Sequence, residues 1–202
     1  MKYIFQSDNI GIRKMEDEIT DYKHMTKWLS TEELLDYYAG RSNSFSLEKV
    51  IKKYSPRVKG EDVVVPCLIE FSQKPIGYIQ YYPIKPDVYN VNGVINMEDY
   101  MFPYGIDLFI GETDNWNKGI GTIVLRGLIS YLFKDKNADI ILIDPQTWNK
   151  RAIRCYEKSG FIPRGVVKNR ELHDGEYKDS LIMSISFEEW NTNNYKIDFY
   201  TL

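Results

Sequence analysis

Cysteine and histidine are scarce in this chain of 202 residues. It holds Cys67 and Cys155 and, far apart, His24 and His173. Neither pair has the spacing of metal ligands, so no metal site is expected. Two distant thiols make no disulfide framework and read as reduced, part-buried side chains in a cytosolic protein. No apolar run approaches the length of a bilayer crossing and no basic start leads into an apolar segment, so the expectation is a soluble protein without a membrane partner. Excess positive charge is missing too: 26 Lys and Arg stand against 29 Asp and Glu, a net charge of −3. That argues against nucleic acid as a partner, because such binders carry a strongly basic face. Internal repeats and low-complexity segments are also absent.

What is present is ordinary for a globular domain, 43% hydrophobic and 27% charged, except in its rings. Aromatics reach 14%, 16 of them Tyr, a composition suited to building pockets. One domain over residues 1–190 is expected, with the Asn-rich stretch 191–202 as a polar tail. Residues 10–13 alternate as a short strand. Thr20-Asp21 offers an N-cap to a helix through Tyr22, Met25, Trp28 and Leu29. A second helix starts at Ser30 and stops at Gly40, and a third starts at Ser46 and breaks at Pro56. From Val63 the period changes: residues 63–71 and 76–82 form a β-hairpin, in which Pro66 suits an edge or a bulge. Later come a strand over 105–110, an apolar helix after 122, a buried strand over 138–145, a helix from Asn149 to Gly160, and a closing hairpin from residues 161–167 and 180–187. This order predicts a mixed α/β domain around one sheet.

Two stretches carry chemistry. Residues 87–117 contain Asp87, Glu98, Asp99, Asp107, Glu112 and Asp114 but no Lys or Arg, interleaved with Tyr89, Tyr100, Phe102, Tyr104, Phe109 and Trp116. Carboxylates among rings suit a pocket for a cationic, hydroxyl-bearing ligand, where a solvated acidic loop is the plainer alternative. Immediately after it, Trp116-Asn117-Lys118-Gly119-Ile120-Gly121-Thr122 tips into an apolar helix. Such a loop turns unpaired N–H groups and the positive end of a helix dipole toward an anion, unless the glycines serve only a tight turn. It is not a nucleoside-triphosphate loop, since it lacks Gly-Lys-[Ser/Thr].

The glycine loop resembles the [Arg/Gln]-x-x-Gly-x-[Gly/Ala] motif of the GCN5-related N-acetyltransferases, with Trp116 in place of Arg or Gln. Residues 149–161 are similar to that family's Asn-x-x-Ala-x-x-x-Tyr-x-x-x-Gly-Phe segment. The likeness to the aminoglycoside 6′-N-acetyltransferases extends over Lys27-Trp28-Leu29, Tyr38-Ala39-Gly40, Pro75-Ile76-Gly77-Tyr78, Gly105-Ile106-Asp107 and Asp144-Pro145. It implies a GNAT fold: a central, mostly antiparallel sheet whose fourth and fifth strands splay apart, flanked by helices. It implies acetyl-CoA as co-substrate and direct attack by the 6′-amine of an aminoglycoside, with antibiotic resistance as the outcome, in a monomer or dimer. Asp107 is then the catalytic carboxylate and Tyr156 the proton donor to the departing thiolate. The coenzyme falls to Leu108, Phe109 and Ile110, to the loop residues Trp116, Asn117, Lys118, Gly119, Ile120, Gly121 and Thr122, and to Asn149, Arg151, Ala152 and Tyr156. The acceptor falls to Trp28, Tyr78, Glu98, Asp99, Asp107 and Asp144.

The residues themselves leave plainer readings open. Trp28 fits a helix core, Asp144 a turn before Pro145, Asn149 a helix cap, and Tyr156 a packing ring. An unperturbed Asp, with a pKa of about 3.9, is a weak base for an ammonium, so Asp107 is better suited to holding the amine and relaying its proton. A protein N-terminus or a polyamine as acceptor, or a non-catalytic acyl-CoA-binding module, are the alternatives.

Overall fold

In the computed structural model, which describes residues 3–38, 40–85 and 93–192, the chain reverses at Ser72 and Gln73. Both take a positive φ, 49° and 63°, the twist that a two-residue hairpin requires. This turn joins β3 (Val65–Phe71) to β4 (Lys74–Pro83), so Lys74 and Pro75 belong to the strand rather than to the turn. Ala39, Asp87, Tyr89 and the tail from Asn193 onward lie outside the described residues.

The remaining strands are β1 (Tyr3–Ser7), β2 (Ile10–Lys14), β5 (Pro103–Ile110), β6 (Ile140–Ile143), β7 (Ile162–His173) and β8 (Glu176–Ser186). They form one eight-stranded sheet in the order β1-β2-β3-β4-β5-β6-β8-β7. Every pairing is antiparallel except β5 with β6, which is parallel and spans only residues 103–105 against 140–142. Beyond Gly105 and Leu142 the two strands part. Past β6 the chain stays with β8 instead: the Pro145 carbonyl accepts from the Leu181 N–H at 2.8 Å and the Thr147 N–H donates to the Asp179 carbonyl at 2.9 Å. The splay therefore falls where the resemblance implies, one strand later in the count because residues 3–7 add a strand that the sequence reading missed.

Helices cover both faces. On one, the apolar stripe of α4 (Ile120–Asp135) buries Val124, Leu125, Leu128 and Leu132 against the sheet. The short α5 (Lys150–Lys158) lies beside it, capped by Asn149, whose side chain accepts from the Ala152 N–H at 3.1 Å. On the other face α1 (Ile19–Trp28), α2 (Glu32–Tyr38) and α3 (Leu47–Val58) enclose a second core of Met25, Trp28, Leu29, Val50, Tyr54 and Tyr78. Gly111 is obligatory there, because a Cβ would sit 2.2 Å from the Trp28 ring.

Three expectations need correction. Pro56 lies inside α3 without breaking it, because a proline in the last turn costs only one hydrogen bond. Pro66 sits on an interior strand rather than an edge. Its carbonyl accepts from Met15 at 2.9 Å just past the end of β2, so its missing N–H faces a stretch that needs no ladder bond. Finally, α6 (Phe187–Thr192) with buried Trp190 continues the fold into the expected tail.

One buried ionic cluster ties the N-terminal elements together. Arg13 on β2 holds Asp21 of α1 at 2.7 and 2.8 Å and Glu70 of β3 at 2.7 Å, and the Tyr3 hydroxyl donates to Glu70 at 2.6 Å. Arg13, Asp21 and Glu70 are each buried. Removing one partner of such a cluster leaves uncompensated buried charge. Arg13→Leu is therefore expected to cost about 3–5 kcal/mol in urea unfolding; a midpoint within error of wild type would refute this role.

Candidate active site

The parting of β5 and β6 opens a cleft of about 990 Å³. The Phe102 carbonyl accepts from Asp139 on the β6 side, and the Pro103 carbonyl accepts from Ile84 on the β4 side. Alternation along the strand then turns the backbone groups of Leu108 and Ile110 toward the cleft, past the last pair with β6 at Gly105 and Leu142. The N–H groups of Leu108 and Ile110 are thus open to an acceptor oxygen. That of Phe109 faces Tyr78 on β4; the residue still lines the cleft, while its ring packs against Tyr38 and Tyr78.

Asp107 stands at the centre of this strand. The Gln80 Nε2 donates to its Oδ2 at 2.6 Å, and Tyr82 also hydrogen-bonds it. The ring of Tyr82 can cross β5 because Gly105 has no Cβ, which would lie 2.4 Å away. Gln80 has no rotational choice, since its Oε1 accepts from the Tyr78 hydroxyl at 2.7 Å and from Arg57 at 3.0 Å. Burial, reinforced by the charge of Asp144, raises the Asp107 carboxyl from its ordinary 3.8 to about 6. Tyr78 is thus a positioning residue behind Gln80. Its ring is fully buried and does not line the cleft, a correction to its expected contact with the acceptor.

At the other end of the cleft lies the glycine loop. Asn117 and Gly119 take positive φ values of 60° and 80°, and Gly119 caps α4. Ile120 and Gly121 thereby begin the helix with N–H groups aimed outward, and Gly121 leaves its surface bare except for Cys155. Trp116 presents no cation, and its indole N–H donates to the Ile110 carbonyl at 2.7 Å. Its ring instead carries the Arg151 guanidinium 3.7 Å above its centroid, and Tyr37 carries the same group at 4.3 Å. Among the described ion pairs none includes Arg151. Partial burial lowers its pKa. A cation stacked between rings, without a carboxylate and beside a helix N-terminus, is suited to an anion. Lys118, Thr122, Asn149, Ala152, Cys155 and Tyr156 complete that wall. Burial pushes the Tyr156 hydroxyl far above its ordinary value, so it keeps its proton.

The structure separates the remaining expected acceptor residues. Asp144 lines the cleft, paired with Arg170 at 3.0 Å. Trp28 does not: its ring is fully buried and its Nε1 donates to Glu112 at 2.8 Å. Glu98 and Asp99 sit on an exposed 3-10 turn, residues 97–99, and are not among the residues lining the cleft. Their even spacing among rings gave the acidic stretch a unity that the fold divides. Sequence reasoning missed Tyr37, Tyr82, Arg170 and Glu171, all of which line the cleft. No motif marks them, because they arrive from three separate elements, α2, β4 and β7.

The chain matches the model of the GNAT acetyltransferase domain over residues 17–169, and it belongs to that family. Among characterised relatives it is similar to the aminoglycoside N(6′)-acetyltransferase type 1 of Klebsiella pneumoniae, 31% identical over 80% of this chain and 78% of that one. It is also similar to a kanamycin resistance protein of Rhizobium radiobacter, 44% identical over 31% of this chain and 58% of that one. Among solved structures, AAC(6′)-Ib in complex with ribostamycin and coenzyme A superposes with a TM-score of 0.74 at 27% identity, covering 93% of this chain and 98% of that one. Spermidine N-acetyltransferase from Vibrio cholerae shares the fold, with a TM-score of 0.73 at 16% identity over 92% and 99% of the two chains.

The raised carboxyl of Asp107 has a consequence for stability. A carboxyl with a higher pKa in the folded than in the unfolded chain favours folding fully below the unfolded value and loses that contribution as pH rises through the folded one. Asp107→Asn is therefore expected to melt higher than wild type above about pH 6, with the gap closing toward about pH 4. A gap that does not change across this range would contradict the shift.

Proposed function

We propose that this protein transfers an acetyl group from acetyl-CoA to the 6′-amine of aminoglycoside antibiotics and so confers resistance to them. The observation that carries the reading is the opposition of charges within one cleft. A helix N-terminus and Arg151 lie at one end, Asp107 and Asp144 at the other, and an unpaired strand edge runs between them. The similarity to enzymes named for this acceptor supports it.

The N–H groups at residues 119–121 and the Arg151 guanidinium receive the pyrophosphate of the coenzyme, so the guanidinium absent at Trp116 is supplied from α5. The strand edge at Leu108 and Ile110 directs the thioester between the walls. There, backbone N–H groups stabilise the negative charge that develops on its carbonyl oxygen, a contribution of about 3 kcal/mol for one well-placed donor. Asp107 holds the acceptor ammonium. The amine attacks only after losing a proton, and a carboxylate near 6 accepts or relays it far better than one near 4. Tyr156, still protonated, donates to the sulfur as the C–S bond breaks. Asp144 pairs with another ammonium of the same acceptor.

Two experiments test this. Thiol release with kanamycin or tobramycin, followed by NMR of the product, is expected to show acetylation at the 6′-amine. No turnover at millimolar drug would end the proposal. The kcat/KM is expected to fall below a pH of about 6, where Asp107 takes up its proton. The limb in kcat should lie lower, because bound ammonium stabilises the carboxylate. In the second, Arg151→Ala is expected to weaken coenzyme A about tenfold, the effect of losing one charge-assisted contact. Calorimetric titration measures it, and an unchanged Kd would exclude the compensation for Trp116.

A further inference from the structure

The glycine loop and Arg151 provide for one anionic group, yet positive charge at the coenzyme end does not stop with them. Arg151, Arg154, Cys155 and Lys158 all line the cleft. Steps of three, four and seven residues place side chains on one helical stripe. So α5 turns a single face to the cleft, and that face carries three cations. At 1.5 Å of rise per residue, Arg154 and Lys158 stand about 5 and about 10 Å beyond Arg151 along the helix axis. The row is pinned to α4: Arg126 Nη2 donates to the Lys158 carbonyl at 2.6 Å, and Thr122 Oγ1 meets Cys155 Sγ at 3.6 Å.

Nothing nearby neutralises the outer part of this row. The side chains of Arg154 and Lys158 belong to no ion pair, hydrogen bond or ring contact among the described residues. The carboxylates that line the cleft are Asp107, Asp144 and Glu171, all on other walls, and Glu157 of α5 is exposed without lining it. Cations three and four residues apart repel one another, which disfavours the empty helix. Lys158 is compensated by the negative end of the helix dipole, as a basic residue in a last turn ordinarily is. Arg154, in the middle of α5, has no such compensation. A dianion lying against this face would relieve the repulsion and gain charge-assisted hydrogen bonds.

We propose that Arg154, backed by Lys158, binds the 3′-phosphate of the coenzyme, so that the cleft selects a nucleotide bearing a 3′-phosphomonoester over its dephospho form. The inference rests on the coenzyme half of the reading above and adds a second phosphate site to it. In coenzyme A this phosphate is separated from the pyrophosphate by one ribose, a spacing that a row beginning at Arg151 and continuing one to two turns along α5 can follow. The planar guanidinium of Arg154 offers two donors to one phosphate, while Lys158 adds charge without fixed geometry.

Calorimetric titration tests this with coenzyme A and 3′-dephospho-coenzyme A, in the absence of any acceptor. Wild type is expected to bind coenzyme A at least about tenfold more tightly than the dephospho form. Arg154→Gln is expected to weaken coenzyme A about tenfold and to leave the dephospho form within about twofold, so the second ligand also reports that the variant is folded. Arg154→Lys should recover part of the loss, since the charge remains and the fork does not. In steady state the Arg154→Gln loss should fall on the KM for acetyl-CoA, with kcat unchanged. Equal wild-type affinity for the two ligands would overturn the proposal. So would an Arg154→Gln effect that is absent, or equal for both. A 3′-phosphate preference lost in Arg154→Gln, without turnover of any aminoglycoside, would overturn the acceptor reading and leave this inference standing. Failure of wild type to bind either ligand would overturn both.

Discussion

The separation of β5 from β6 beyond Gly105 is the constraint on which the rest of the molecule depends. A parallel pair that stops after three residues leaves a strand edge inside the protein rather than at its rim. Buried backbone donors without partners are costly, and the sheet would close or aggregate if nothing met them. Here β6 ends at Ile143, and the residues after it remain bonded to β8, through Leu181 to Pro145 and Thr147 to Asp179, rather than returning to β5. The same unpaired donors are what a thioester carbonyl needs. In the proposed reaction the structural cost and the catalytic device are one feature.

Around that gap the charges are sorted in the main, with Arg170 paired to Asp144 at the acidic end. Arg151 and the start of α4 face one end without a carboxylate among their described ion partners. Asp107, Asp144 and Glu171 crowd the other. Such sorting gives the cleft a field that orients a long ligand, anionic at one end and meeting a cation at the other. It also explains why the carboxyl of Asp107 lies near 6: burial alone raises it, and Asp144 adds to the shift. The Gln80–Tyr78–Arg57 chain keeps that carboxyl aimed, so residues outside the cleft set the geometry within it.

In the proposed reaction, the pairing of Trp116 with Arg151 lets the motif lose a residue type and keep its physics. The ring at position 116 brings no charge, but it makes a platform on which a guanidinium from α5 can rest, desolvated and without a competing carboxylate. The guanidinium that rests there comes from thirty-five residues downstream, as the numbering of 116 and 151 shows.

The sequence by itself determined the local devices. The glycine loop, the Asn149 cap, the hairpin at Ser72-Gln73 and the strand carrying Asp107 follow from backbone preference and periodicity, which act over a few residues. These were legible, as was the family they point to. Pro56, Pro66 and the strand at residues 3–7 were misjudged or missed because what surrounds them, a last helical turn, an ended neighbour strand and an adjacent β2, comes from tertiary context. Only the tertiary structure decided which carboxylates face the cleft. Asp107 and Asp144 do so, while Glu112 is taken by Lys27 and Trp28 and Glu98 and Asp99 point to water. It likewise brought Glu171 into the site through a bulge. Charge and ring content are properties of a stretch, but a shared pocket is a property of distance, and distances between separate elements are set by packing.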